Sequence, residues 1–211
     1  MNKHFLIISI FILSINSVFS QEIDTTDIFE INKQSYLVLK PEIEKRINSK
    51  IQPIIKEKLE KYKAIKRKEA GEYFSEKDFQ EDFKFANDTI RINEFLNEYE
   101  NSYSMSTTTM GMNWKAGKYL DEYDKLLNEY YRKAQNALTS EMKIKLVESQ
   151  KKWLSYYENE KKFIYNLNDF GNHNSSLCCW NYYIEMLEKR VLFLREIYLG
   201  HFQNPNAFKG N

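Results

Sequence analysis

The sequence predicts an all-α fold: an antiparallel helical bundle with an N-terminal helical hairpin extension. Three observations predict it. Apolar residues recur in steps of three and four along most of the chain, which is the helical period, and no stretch alternates with period two long enough to make a sheet. Glycine and proline number only six and three in 211 residues, too few for a turn-rich sandwich or barrel. Aromatic residues reach 15%, with fifteen Tyr and fourteen Phe, enough ring surface for a core and too much for an intrinsically disordered chain. No internal repeat is visible.

Residues 1–20 read as a cleaved secretory signal. Lys3 supplies the positive start, Phe5 to Leu13 form an apolar run broken only by Ser9, and Val18 and Ser20 suit the −3 and −1 positions of a cleavage site. The run falls short of the roughly 20 apolar residues a membrane span needs, and no Cys follows it to carry a lipid. The expected mature chain begins at Gln21 and is periplasmic or secreted, with no membrane span. Removing one Lys and no acid leaves 30 basic and 30 acidic residues. That balance lacks the basic excess of a generic nucleic-acid binder.

Residues 21–100 are expected to form the helical extension. Pro41 suits a first-turn position, and Ile43, Ile47, Ile51, Ile54, Ile55, Leu59, Tyr62 and Ile65 follow at helical spacing. Pro53 interrupts this run, so a kink or a break into two helices is expected there, and Gly71 closes it. Ser75 with Asp78 resembles a capping box. Phe79, Phe83, Ala86, Ile90, Leu96, Tyr99 and Tyr103 continue the period, with a slip near Ile92 and Phe95. Residues 40–68 carry eleven Lys/Arg against four Glu, net +7, and residues 69–100 carry ten acids against three bases, net −7. The two arms of one hairpin would attract each other. Alternatively they offer a basic face to anionic envelope polymers and an acidic face to a cationic partner.

The second unit is expected over 101–200, with 201–211 as a loose tail around Pro205. Ser104–Thr109 is a boundary rich in capping residues. Met110, Trp114, Leu120, Leu127, Tyr131, Ala134 and Leu138 mark a third helix. Thr139–Ser140 starts a fourth, with Met142, Leu146, Gln150, Trp153, Tyr157 and Ile164. Residues 171–176, Gly-Asn-His-Asn-Ser-Ser, read as a polar loop. A last helix runs from about Trp180 to Leu199, through Tyr183, Leu187, Val191, Leu194 and Tyr198, and stops at Gly200.

Cys178 and Cys179 are adjacent, and neighbouring cysteines rarely bond to each other because the ring they close is strained. Burial as small apolar residues is the first reading for both. His173 and His201 have no partners at metal-ligand spacing, so neither a metal nor a cofactor is expected.

Asp124, Leu127, Asn128 and Tyr131 stand at i, i+3, i+4 and i+7, on one stripe of the third helix. Gln150, Trp153, Tyr157 and Glu160 form a similar stripe on the fourth. Facing each other, the two stripes would make a polar clasp that fixes helix register, each inward amide finding a partner across the seam. Catalysis would instead need carboxylates such as Glu158 and Glu160 poised over a cleft. Both are more simply solvated helix residues, so no enzyme is expected.

The pattern D-x-x-L-N-x-x-Y over Asp124–Tyr131, then Ser149-Gln150-x-x-Trp153, Glu160, and Arg190 in the last helix, resembles the lysozyme inhibitor LprI-like family. The resemblance covers Tyr103 to Leu199. The phrase from Asp88 to Ile92, with Ser106, Thr107 and Met110, looks like a variant found in exported Bacteroidetes-type proteins. The resemblance implies a small, helical, exported, non-enzymatic protein that acts by binding another protein, in one branch a lysozyme. It also implies disulfide-forming cysteines flanking the motifs, where this chain has Asn113–Ala116 and Glu160–Lys162. The Arg often seen four residues after the Trp is Tyr157. An inhibitor of a host or competitor lysozyme would insert a loop into a cleft with two carboxylates and complement a cationic rim. Asn172, His173 and Asn174 are the candidate inserted loop, and the acids of 69–100 the candidate complement. The alternative function is a structural or adaptor module for the bacterium's own envelope proteins.

Overall fold

A computed structural model describes residues 29–31, 37–69, 76–168, 175–202 and 205–209. The proposed signal 1–20, the cap Ser75, Gly71 and the loop residues Asn172, His173 and Asn174 lie outside them. The chain opens with two three-residue strands, β1 (Phe29–Ile31) and β2 (Leu37–Leu39), paired antiparallel with Phe29 opposite Leu39. Strands this short give no period-two signal, so the sequence showed no sheet. Five helices follow among the described residues: α1 (Pro41–Glu69), α2 (Glu76–Ser102), α3 (Thr109–Ala137), α4 (Ser140–Asn168) and α5 (Ser175–Leu199).

The all-α expectation therefore holds. Two boundaries differ. Pro53 does not divide α1, which runs through it without a break. Pro53 is exposed, so the carbonyl deprived of its helical partner can bond water instead. Helix α5 begins at Ser175, ahead of the expected Trp180, because serine suits a helix's first turn as well as a loop. Elsewhere the local signals act as read. Thr108 caps α3, its side chain accepting from the Gly111 N–H at 3.1 Å. Gly200 takes φ 78°, and the N–H of His201 reaches back to the Glu196 carbonyl, the bond that closes a left-handed helix end.

Consecutive helices alternate in direction. Lys50–Glu98 and Lys58–Glu94 pair α1 with α2. Lys84–Glu129 and Arg91–Glu122 pair α2 with α3. Helices α3 and α5 run parallel and pack along their length, joined by Trp180 Nε1–H donating to Asn113 at 2.8 Å and Tyr119 O–H donating to Glu188 at 2.6 Å. One continuous core joins all five helices. It runs from Ile43, Ile47, Ile51 and Ile55 through Phe95, Leu96 and Tyr99 to Leu127, Tyr130, Val191 and Leu194. Each such apolar side chain contributes roughly 1.5–3 kcal/mol on burial. The helical extension thus packs on the second unit rather than standing off it. Ile92 and Phe95, the slip in the α2 pattern, are core residues, because α2 is sandwiched between α1 and α3 and buries two faces.

Phe29 brings the short hairpin onto the bundle, its ring 5.4 Å from Trp114 and 6.2 Å from Tyr99. The tail differs from expectation. At 205–209 it is tied to the α3–α4 turn, Thr139 N–H donating to the Ala207 carbonyl and Lys209 N–H to the Ala137 carbonyl, at 3.0 and 2.9 Å. Ala207 is buried there.

Candidate functional site

A polar clasp does form, at a different seam from the one the stripes predicted. Gln150 on α4 is 6% exposed and Arg190 on α5 is 9% exposed. Arg190 Nε–H donates to Gln150 Oε1 at 2.9 Å, and Nη2 reaches Ser149 Oγ at 3.4 Å. The guanidinium lies over the Trp153 ring at 5.5 Å and the Phe193 ring at 5.0 Å, within range for a cation–π attraction. Trp153 in turn stacks on Tyr157, centroids 5.1 Å apart and 11° from parallel. Burial pulls the Arg190 guanidinium below its ordinary value, and pushes the nearby Tyr131 hydroxyl up against the opposing pull of Arg190. A buried cation held by one amide, one hydroxyl and two ring faces orders the helices around it.

The α3 stripe behaves otherwise. Leu127 is buried and Tyr131 half-buried, but Asp124 and Asn128 are exposed. Asn128 Nδ2–H bonds the Asp124 carboxylate at 2.9 Å and the Asp124 carbonyl at 2.8 Å, within its own helix. Asn128 therefore does not meet Gln150. A local i,i+4 partner satisfies it, while the fixed charge on α5 claims the glutamine. Glu160 is half-buried on α4.

The geometry places the motif residues in a three-helix unit closed by a charged clasp. Residues 100–194 match the family model of the lysozyme inhibitor LprI. No curated protein and no solved structure matches the chain. The LprI match starts in the last turn of α2, takes in α3 and α4, and stops within α5. It contains Asp124, Leu127, Asn128, Tyr131, Gln150, Trp153, Glu160 and Arg190. The short hairpin, α1 and most of α2 lie outside it.

Two buried charge networks escaped the sequence reading. Glu122, on α3, receives Arg91 at 3.1 Å, Lys118 at 3.2 Å and Lys125 at 2.6 Å. Burial pushes its carboxyl up, but the bond from Lys125, the charges of Lys118 and Lys125 and the bond from Arg91 outweigh it and bring it down to about 2. With Glu44, Asn48 and Phe95 it lines a crevice of about 50 Å³ between α1, α2 and α3. Lys118 and Lys125 at i−4 and i+3 were a visible signal for this ion pair. The second network centres on Glu81, which accepts from Tyr130 O–H and Lys133 Nζ–H, each at 2.6 Å. Beside it, Arg195 pairs with Asp82 and covers the Phe85 ring. Their partners are remote in sequence, so no local pattern announced them.

These pairs consume the acidic arm. Glu81, Asp82, Asp88, Glu94, Glu98 and Glu100 all lie in intramolecular ion pairs. The arm mainly neutralises the protein's own cations, so the expected acidic complement to a cationic partner is largely internal. Cys179 is buried, its thiol directed to the Ile164 carbonyl at 3.8 Å, while the side chain of Cys178 lies outside the described residues.

Proposed function

We propose that the chain is an exported, non-enzymatic binding protein whose 100–194 region inhibits a lysozyme. The observation that carries this reading is the match of those residues to the lysozyme inhibitor LprI family. The clasp supports it: where the family resemblance implies flanking disulfides, the buried Arg190–Gln150 bond and the Trp153–Tyr157 stack supply rigidity. A rigid frame presents a loop at low entropic cost.

The contact element is the α4–α5 connection with Asn172, His173 and Asn174. The helices on either side of it carry exposed apolar side chains, Phe163 and Leu167 one turn apart on α4 and Tyr182 on α5, available to a protein partner. The test is complex formation between the mature chain and a lysozyme by sedimentation velocity. A complex is expected, weakened at least about tenfold by Asn172→Ala, His173→Ala and Asn174→Ala combined, equivalent to roughly 1.4 kcal/mol. No complex at micromolar concentrations of both proteins would refute the reading. The same exposed side chains would serve an adaptor for the bacterium's own envelope proteins, and a stable complex with such a protein but not with lysozyme would favour that alternative.

A further inference from the structure

We propose that a second copy of this chain docks on the exposed face of α4, making a two-fold dimer in which the two α4 helices run antiparallel with Tyr156 on the axis. Helix α4 packs chiefly on α5 and turns Leu146, Gln150 and Tyr157 to the core. About a quarter-turn round the helix from that core line stand Tyr156, Phe163 and Leu167, which are 54%, 57% and 53% exposed. At i, i+7 and i+11 they share one stripe.

The occupant follows from the rest of the stripe. Toward the start of α4 it continues through Lys152, Ser149 and Lys145, and Glu160 stands between Tyr156 and Phe163. Read outwards from Tyr156, the steps are four, three and four in both directions. A stripe with mirrored spacing matches its own reverse. About a two-fold axis at Tyr156, antiparallel copies bring Lys152 level with Glu160, Ser149 level with Phe163 and Lys145 level with Leu167.

Each of these pairings is complementary. Lys152 is exposed and Glu160 half-buried, and neither has an ion pair among the described residues. Across the axis each supplies the other's counter-charge, twice by symmetry. Ser149 is small and exposed, which leaves room for the Phe163 ring. The Lys145 ammonium is held by Glu141 at 2.5 Å, and its methylene stem can cover Leu167. Other registers lose this match. An axis at Glu160 would oppose two carboxylates, an axis at Lys152 two ammonium groups, and a parallel pair would do both. The contact from Lys145 to Leu167 is about 33 Å long at about 1.5 Å per residue.

The dimer needs no lysozyme and is read on the chain alone, so its failure is separate from that of the reading above. It covers Phe163 and Leu167, so a lysozyme that used them would have to displace the second copy.

The test is sedimentation equilibrium of the mature chain from about 1 to about 100 µM, with a reductant present to keep Cys178 and Cys179 as thiols. A monomer–dimer equilibrium is expected within that range. Tyr156→Glu places two like charges on the axis and should leave only monomer. Lys152→Glu and Glu160→Lys each set like charges level with one another at two symmetric places, and each should weaken association at least about tenfold. Combined, they exchange the partners and should restore it. Circular dichroism should be unchanged in all four variants, since none of these residues belongs to the core. A chain that stays monomeric at about 100 µM would overturn the proposal. So would a dimer that survives Tyr156→Glu, or a combined variant that associates no more tightly than either single one.

Discussion

Replacing Gln150 by Leu removes the one acceptor held 2.9 Å from Arg190 Nε while keeping side-chain volume. The guanidinium is left 9% exposed, with a single weaker hydroxyl contact at 3.4 Å and two ring faces. A hydrogen bond to a charged group contributes about 1.5–3 kcal/mol, and stranding a buried charged donor costs at least as much. Gln150→Leu should therefore cost about 2–4 kcal/mol. Arg190→Met strands a neutral amide and loses the ring contacts, about 1–3 kcal/mol. The double variant replaces both partners with apolar groups, which is close to neutral when shapes match. With the double variant near neutral, the coupling in a double-mutant cycle read by urea unfolding and circular dichroism should approach the sum of the two single costs, about 3–7 kcal/mol. Additive costs, or a Gln150→Leu variant as stable as the parent, would refute the claim that this bond holds α4 to α5.

Three further outcomes are expected. Glu122 has its folded pKa depressed from 4.5 to about 2, so its contribution is fully present above about pH 5 and is lost as pH falls toward 2, roughly 3 kcal/mol in all; Glu122→Gln should flatten that part of an acid unfolding curve, and an unchanged curve would contradict the network. The Tyr99 hydroxyl is buried without a hydrogen-bond partner among the described residues, so Tyr99→Phe should be neutral or stabilising by up to about 1 kcal/mol; a loss above that, measured by thermal unfolding, would reveal a missed partner. Pro53 lies exposed inside continuous α1, so Pro53→Ala should raise stability by about 1–3 kcal/mol in urea titration, and destabilisation would show that α1 depends on the proline for its shape.

The legible parts of the fold are those in which one residue's neighbours along the helix decide its state. Period, caps and stops gave α1 to α5, the Thr108 cap and the Gly200 end. What was hidden depends on partners far along the chain. Asp124 and Asn128 looked like half of an inward clasp, yet four-residue spacing let them satisfy each other at the surface, and Gln150 turned to Arg190, forty positions away. The opposite charges of the two arms correctly foretold a hairpin. They did not foretell that α2, facing α3 and α5 as well, would spend Glu81 and Asp82 on Lys133 and Arg195 and leave the end of α1 basic. Ile54 and Ile65 fit the helical period but lie exposed, because period alone does not say how far a partner helix extends alongside.

The central claim is that residues 100–194 form a lysozyme-inhibiting unit, and bacterial cell-wall lysis in the presence of the purified mature chain tests it most directly. Lytic rate should fall with added protein and approach zero near equimolar amounts at micromolar concentrations, with unfolded chain having no effect. A lysozyme that keeps its full rate in the presence of a tenfold excess, on the order of ten micromolar where even a modest complex would be populated, would contradict it.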